Sequence, residues 1–393
     1  MKRIIFVCMG MGLGGTEKTL VSALNALDHS KYDVTLYIRK NRVDLLPCIN
    51  KRVQIILNNS APEFENSFYC RVCNIAKRFC DNLKLKSLST KIARSARKYV
   101  LRKRTEYEKE TFFRSTEYDY AIAYDMATEV VKFTLNCINA KQKIAFFHAS
   151  RLYNAKMLLY KNFDKIVCVN DVVASDMKSD YPQLASKVLA VENYISPEYI
   201  YNELNNSEPL KRPITELVLC SCGRIAKEKG FDLAVKAAKL LKDDGVSFHW
   251  YFVGDYRDGG IVKEMIAVEG LQEDITVTGF VSNPYKYMNL CDIYIQPSWE
   301  DAHATTVVEA AILCKPIIST DTSTGRLFRD KYGCCNVCDK KEKSLAKAIY
   351  ELYNNQSEQN KLLSAAKNID YSGRYLEYHQ AINTLFSGDK DEI

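Results

Sequence analysis

The sequence predicts a parallel α/β protein of two comparable domains with a cleft between them. Three observations lead there. The chain has 393 residues, beyond the size at which one core usually suffices, so about two domains are expected. Apolar strand-like runs alternate with helical patterns through both halves, the rhythm of a parallel sheet. Around residues 196–215 that rhythm lapses in a stretch with three prolines and several asparagines, which reads as a linker.

In the first half, 3–9, 33–38, 120–124, 143–147 and 165–169 read as strands, and 16–27 reads as the first helix. In the second half, strands are expected at 217–222, 248–253, 275–278, 293–296 and 316–320. Phe231, Ala234, Val235, Ala238 and Leu241 fall at i, i+3, i+4, i+7 and i+10, one apolar helix stripe. The expected domains are therefore 1–195, with an insertion at about 60–115, and 216–370. Residues 371–393 are expected as a helix packing back on the N-terminal domain, followed by the frayed acidic end "GDKDEI". Two such domains bind ligand at the carboxyl ends of their strands.

The composition, 47% hydrophobic and 26% charged, suits a folded protein with a sizeable core. No run of about 18 apolar residues exists to span a membrane. Met1-Lys2-Arg3 leads into an apolar stretch too short for a signal peptide, so a first core strand in a cytosolic protein is expected. Of the fourteen cysteines, Cys8, Cys168, Cys220 and Cys222 lie in strand-like runs, where a reduced thiol acts as a small hydrophobe. Cys70 with Cys73, and Cys335 with Cys338, have zinc-knuckle spacing, but nothing nearby completes a site. No metal is expected.

The net charge of +7 is unevenly spread. Segment 69–115 holds fourteen Lys/Arg against four Asp/Glu, interleaved with apolar residues such as Leu88, Ile92, Val100 and Leu101. A basic amphipathic helix of this kind fits an anionic membrane surface, each basic residue contributing about 1 kcal/mol. The plain alternative is a solvated helix face. No nucleic-acid-binding motif accompanies the charge, so a nucleic-acid partner is not expected.

Residues 5–19 read "IFVCMGMGLGGTEKT", in which Gly10, Gly12 and Gly15 have the spacing of a dinucleotide turn. That reading needs an acid roughly twenty residues on to hold a ribose, where Arg39 and Lys40 stand instead. Arginine is compatible with a 2′-phosphate, so an NADP-dependent reductase remains an alternative. The other reading takes "GGTEK" as the unit. Gly14 and Gly15 let backbone approach a ligand, Thr16 caps the helix, and Glu17 suits the positive end of its dipole.

Three stretches of the second half weigh more. "SCGRIAKEKG" puts Arg224 and Lys229 around a strand-to-helix turn, a diphosphate site that needs no metal. In "TGFVSNPYKYM", Gly279 ends a strand and lets a planar base lie against backbone. In "PSWEDAHATTVVEAAILCKPII", seven residues separate Asp301 from Glu309. A helix starting near Ala304 offers free amides near Thr305 and Thr306 to a negative group.

In this order, "GGTEK", His148, "FDKIVCVND", "VENYI", "GRIAKEKGFD", "GFVSNPYKYM" and "CDIYIQPSWEDAHATTVVEAAILCKPII" resemble the retaining glycosyltransferases of family 4. The resemblance implies a GT-B fold, two Rossmann-like domains facing each other across a cleft. It implies that Arg224 and Lys229 hold the donor diphosphate, that Glu309 holds the ribose, and that Asp301 meets the donor sugar's hydroxyls. Ala302, His303 and Ala304 form the loop whose amides face sugar and phosphate. Gly14, Gly15 and Glu17 border the donor from the other domain, and Gly223, Gly279, Val281, Thr305 and Thr306 complete its site. His148 lies on the sugar's reacting side, and Asn193 matches the hinge-side asparagine. The family usually has glutamate in place of Asp301, then glycine and an aromatic in place of Ala302 and His303. The shorter acid and bulkier loop mean another donor sugar, an altered pose or weak activity. His303 itself reads as a partly exposed loop histidine.

The function implied is retaining, metal-independent transfer of a sugar from a nucleotide-diphosphate donor, UDP by family frequency, without a further cofactor. The acceptor implied is a lipid-linked or growing surface glycan at the inner face of a membrane. The alternatives are a degenerate paralogue partnering an active transferase, and the reductase already named.

Overall fold

The computed structural model describes residues 1–40, 42–58, 68–82, 86–152 and 154–387. Among these residues, seven strands form one parallel sheet: β1 (Lys2–Cys8), β2 (Tyr32–Ile38), β3 (Gln54–Leu57), β4 (Glu117–Ala123), β5 (Asn139–Phe147), β6 (Lys165–Cys168) and β7 (Val188–Ala190). Their order is β3-β2-β1-β4-β5-β6-β7. Six more form a second: β8 (Leu217–Cys222), β9 (Phe248–Val253), β10 (Ile275–Gly279), β11 (Ile293–Gln296), β12 (Ile317–Thr320) and β13 (Cys335–Cys338), ordered β10-β9-β8-β11-β12-β13.

Helices cover both faces of each sheet, so successive side chains of a central strand enter two different cores. In β1, Ile4, Phe6 and Cys8 join one core and Ile5 and Val7 the other. In β8, Leu217 and Leu219 face one layer, and Val218, Cys220 and Cys222 the opposite one. The register places Ile4 between Val34 of β2 and Tyr120 of β4. The short strands β3, β7 and β13 are absent from the sequence expectation; at three or four residues each they carry too little pattern to register.

The stretch 196–215 is not all irregular. Pro197–Asn205 is a helix, with proline where its missing N–H costs nothing. The first helix, Gly15–Ala26, begins one residue before the expected start, and its N-cap is Gly14 rather than Thr16. A Cβ on Gly14 would collide with the Glu17 carboxylate, which fills the place of a capping side chain.

Helix Tyr371–Thr384 crosses back to the first domain. Tyr378, Ile382, Leu385 and Phe386 enter that domain's core beside Phe6 and Tyr32. Phe386 is fully buried, which stabilises the crossing by about 2–3 kcal/mol. Lys2 Nζ donates to the carbonyls of Phe386 and Ser387 at 2.9 and 2.7 Å.

The basic segment forms helices Phe68–Asn82 and Lys86–Glu108; 59–67 and 83–85 of the expected insertion lie outside the described residues. Its last turn is anchored. Glu108, fully buried, meets Arg39 at 2.7 Å and Arg104 at 2.8 Å, and accepts from Asn58 Nδ2. Phe113 packs on Tyr37 with ring centroids 4.8 Å apart. The outer surface carries exposed Arg71, Lys77, Arg78, Lys91, Arg94 and Lys98 around exposed Val72, Ile75 and Leu88.

Candidate functional site

Each sheet reverses its strand order once, between β1 and β4 and between β8 and β11. A crevice opens at the carboxyl ends of such strands. The "GGTEK" turn follows β1, Gly223 and Arg224 follow β8, and Asp301 follows β11.

The two crevices meet. Gly15 is the first residue of helix Gly15–Ala26 and Thr305 the first of helix Thr305–Ile312. A Cβ built on Gly15 would lie 2.6 Å from Thr305 Oγ1 and 3.1 Å from its Cγ2, so glycine is needed for this approach. Two helix N-termini thus converge from opposite domains, and their dipoles favour an anion beside the place where they meet. Glu17, part-buried beside them, has its carboxyl raised by burial and then by Asp125, while Arg224 and Arg42 oppose the shift.

Arg224 is largely exposed, with Glu228 at 3.6 Å. Lys229 is committed: its Nζ lies 2.7 Å from Asp301 Oδ2. The same oxygen accepts from Ser298 Oγ at 3.2 Å and Gln296 Nε2 at 3.4 Å. Gln296 in turn accepts from Tyr294 OH at 2.9 Å and Thr306 Oγ1 at 3.0 Å. The Thr306 hydroxyl therefore faces this buried network, which fixes Asp301 by Oδ2. Gly223 and Gly279, with positive φ, have open space where side chains would stand. Val281 packs on the core below β8.

Glu309 is fully buried just over one turn along helix Thr305–Ile312. Its Oε1 accepts from Lys18 Nζ at 2.6 Å and Tyr285 OH at 3.3 Å. Lys18 also donates to Tyr285 OH at 2.9 Å and lies 5.0 Å from that ring's centroid. Oε2 is buried with no hydrogen-bond partner.

His303 is not partly exposed. It keeps 8% of its surface, and both ring nitrogens are buried without partners. The covering comes from the other domain, where Asn170 Nδ2 donates to Ala302 O at 2.8 Å. Burial drives the His303 pKa down to about 4, with Glu192 pulling upward and Arg374 downward. His148 follows β5, tilted on Tyr124 at 4.9 Å, with Nε2 buried and unpartnered; burial brings its pKa to about 4 also. Both rings are neutral near pH 7. The Ala304 amide donates to Thr324 Oγ1 at 2.7 Å, so it is not directed at a ligand as the resemblance implies.

Glu192 and Asn193 mark the first crossing between domains. Glu192 binds Lys331, Tyr332 and Arg374, each at 2.7 Å, and Arg374 also reaches Asn193 O at 3.5 Å. Arg39, which the reductase reading offers to a 2′-phosphate, is buried against Glu108 and 4.5 Å from the Phe133 ring centroid. It is not available to a ligand. Among the described residues, no three His, Cys, Asp or Glu side chains group as metal ligands, and no helix is long and apolar enough to cross a membrane.

Sequence reasoning missed Lys18, Asn170 and Gln296. Lys18 had a signal: a cation in the first turns of a helix opposes the dipole, which asks for a partner. Asn170 before "DVVASDM" reads as an N-cap, and its side chain does accept from Val173 N at 2.9 Å. Gln296 ends a strand and carries no signal.

Residues 202–369 match the family described as glycosyl transferases group 1. A 2-deoxystreptamine N-acetyl-D-glucosaminyltransferase from Niallia circulans is 30% identical over 160 residues, 38% of this chain and 41% of that protein. An uncharacterised glycosyltransferase from Methanocaldococcus jannaschii is 25% identical over 171 residues, 42% of each chain. The chain thus spans about two fifths of the length of these curated relatives. S. aureus TarM, solved with fondaparinux, α-GlcNAc-glycerol and UDP, superposes with a TM-score of 0.70 at 12% identity, over 98% of this chain and 100% of that one. The fold is GT-B: two parallel-sheet α/β domains across a cleft.

Proposed function

We propose that this chain is a retaining glycosyltransferase, moving a sugar from a nucleotide-diphosphate donor, UDP in our reading, to a lipid-linked or growing surface glycan. The observation that carries this is the meeting of two helix N-termini, at Gly15 and Thr305, beside Arg224 and the Lys229–Asp301 pair. A diphosphate placed there finds dipoles and the Lys229 cation fixed before it arrives, with Arg224 free to close on it, and the same groups stabilise the charge on the departing phosphate. Asp301 Oδ1 receives sugar hydroxyls, Glu309 Oε2 receives the ribose, and neutral His148 and His303 line the sugar's side.

In the step, the bond from the sugar's anomeric carbon to the β-phosphate oxygen breaks. The bond from that carbon to the acceptor oxygen forms on the same face. The departing phosphate oxygen takes the acceptor proton, so the protein needs no dedicated base and the reading requires no metal. The UDP in the TarM structure supports the choice of nucleotide.

A thermal-shift panel of UDP, GDP, ADP and NADP, with and without EDTA, tests the reading. A ligand at about 100 times its dissociation constant adds about 2.7 kcal/mol of stability. Stabilisation by UDP, unchanged by EDTA, is expected; stabilisation by NADP alone overturns it. We place the enzyme at the cytoplasmic face of a membrane, bound through exposed basic and apolar residues of segment 69–115. Co-sedimentation with phosphatidylglycerol vesicles at modest salt is expected, and its absence removes that claim. Purified chain that binds UDP but turns over no UDP-sugar points instead to a partner subunit, the reading that Asp301, Ala302 and His303 keep open.

A further inference from the structure

Lys18, whose side chain keeps 11% of its surface, is a cation to which the proposed chemistry gives no task. It belongs to the N-terminal domain, while both groups it binds, Glu309 and Tyr285, belong to the C-terminal one. Three interactions fix the ammonium: 2.6 Å to Glu309 Oε1, 2.9 Å to Tyr285 OH, and the Tyr285 ring 5.0 Å away. Tyr285 OH donates in turn to the same carboxylate oxygen at 3.3 Å. All of this binding falls on Oε1. Oε2, equally buried, has no partner, an arrangement that costs free energy unless a donor arrives to fill it.

We propose that Lys18 is a positioning residue for the donor's ribose: from the opposite domain it holds Glu309 by Oε1, so that Oε2 is presented to the ribose hydroxyls only when the domains are together. This rests on the reading of Glu309 as the ribose-binding acid.

A carboxylate left alone in a closed, dry cleft is costly. Glu309 therefore needs either water, with the domains apart, or Lys18, with the domains together. The ribose hydroxyls add two donors on the side Lys18 leaves open. Ribose binding and domain closure then favour each other, by the same factor in both directions. Lys18 also borders an interdomain crevice of about 540 Å³, lined with Asn25, Tyr194, Tyr199 and Tyr375. The crevice gives the side chain room to withdraw and return without disturbing the core.

The test compares UDP with 2′-deoxy-UDP and 3′-deoxy-UDP, by calorimetry, on the full chain and on Lys18→Met, Lys18→Arg and Tyr285→Phe. The intact chain is expected to prefer UDP over one or both deoxy forms by at least about tenfold, as a site that hydrogen-bonds a hydroxyl does. Lys18→Met is expected to bind UDP more weakly and to bring that ratio within about twofold, since Oε2 is no longer held in place. Lys18→Arg keeps most of the preference, and Tyr285→Phe loses part of it. Small-angle scattering supplies the second readout: UDP contracts the intact chain and the Lys18→Arg variant but not Lys18→Met. Unchanged ratios in both Lys18→Met and Tyr285→Phe, with UDP still bound, overturn the role of Lys18 and leave the donor site standing. If Lys18→Met does not fold, the Tyr285→Phe ratio and the scattering of Lys18→Arg decide in the same way. An intact chain that binds all three nucleotides equally, or none, overturns the reading of Glu309 itself.

Discussion

A Cβ on Gly15 would stand 2.6 Å from Thr305 Oγ1, although the two residues open helices in different domains. Gly15→Ala is therefore expected to fold normally, since alanine suits a helix better than glycine, and to keep the two N-termini apart. Donor turnover should fall at least about tenfold, in keeping with the cost of small misplacements in a catalytic site. The double variant Gly15→Ala, Thr305→Ala removes the clashing atoms and should recover part of the loss. Initial rates with saturating acceptor check both.

Asp301 is held by Lys229, Ser298 and Gln296. Asp301→Asn keeps the shape but weakens the hold on the Lys229 ammonium, and Lys229→Met removes a charge from the proposed diphosphate site. Each should lower turnover by about 10²-fold, the loss typical of one preorganised electrostatic group. Circular dichroism should be unchanged. A rate within twofold of the parent for either variant would falsify the assignment.

Glu108 lies between two arginines and is fully buried. Glu108→Gln leaves Arg39 without a counter-charge in the core of the first domain, a loss of about 3–5 kcal/mol. Denaturant unfolding should show it. UDP binding by the folded fraction should be unaffected, because the arginine's role is structural.

His148 and His303 have pKa values near 4 in the folded chain, against the ordinary 6.5. The unfolded chain takes up protons below pH 6.5 that the folded chain resists until about pH 4. The stability given by the neutral rings is thus full above pH 6.5 and is lost as pH falls towards 4. Each ring accounts for about 3 kcal/mol over that window. Around His303 stand Glu192, Asp301 and Arg374. Burial pushes Glu192 upward, but Arg374 and His303 hold it below the usual carboxylate range, so it too loses stabilisation on acidification. Unfolding midpoints at pH 7 and pH 5 should differ strongly in the parent. They should differ less in His303→Phe.

Much of this was legible in the sequence, for reasons visible in single elements. Residues 217–222, 248–253 and 293–296 are apolar runs whose ends are set by polar or turn residues, and the strands match them. The Asp301–Glu309 spacing put one acid in a loop and one on a helix, as found. What the sequence could not carry was pairing between residues far apart in the chain, within a domain or across the cleft. Lys229 is spoken for by Asp301, and Glu309 by Lys18 from 291 residues away. Nor could it carry burial imposed from the other domain: a loop histidine looks exposed until Asn170 closes over its neighbour Ala302. Short edge strands, and a helix hidden at 197–205 among prolines, escaped because periodicity needs length.

The chain passes between the domains twice, once through Glu192 and Asn193 and once through helix Tyr371–Thr384, and Arg374 ties the two passages together. One passage would act as a ball joint, leaving the halves free to swivel in any direction. Two passages act as the two pins of a door. They leave swing about a single line as the cheap motion and suppress twist and sideways slip. A glycine and a threonine from opposite halves would then return to the same close approach after such a swing.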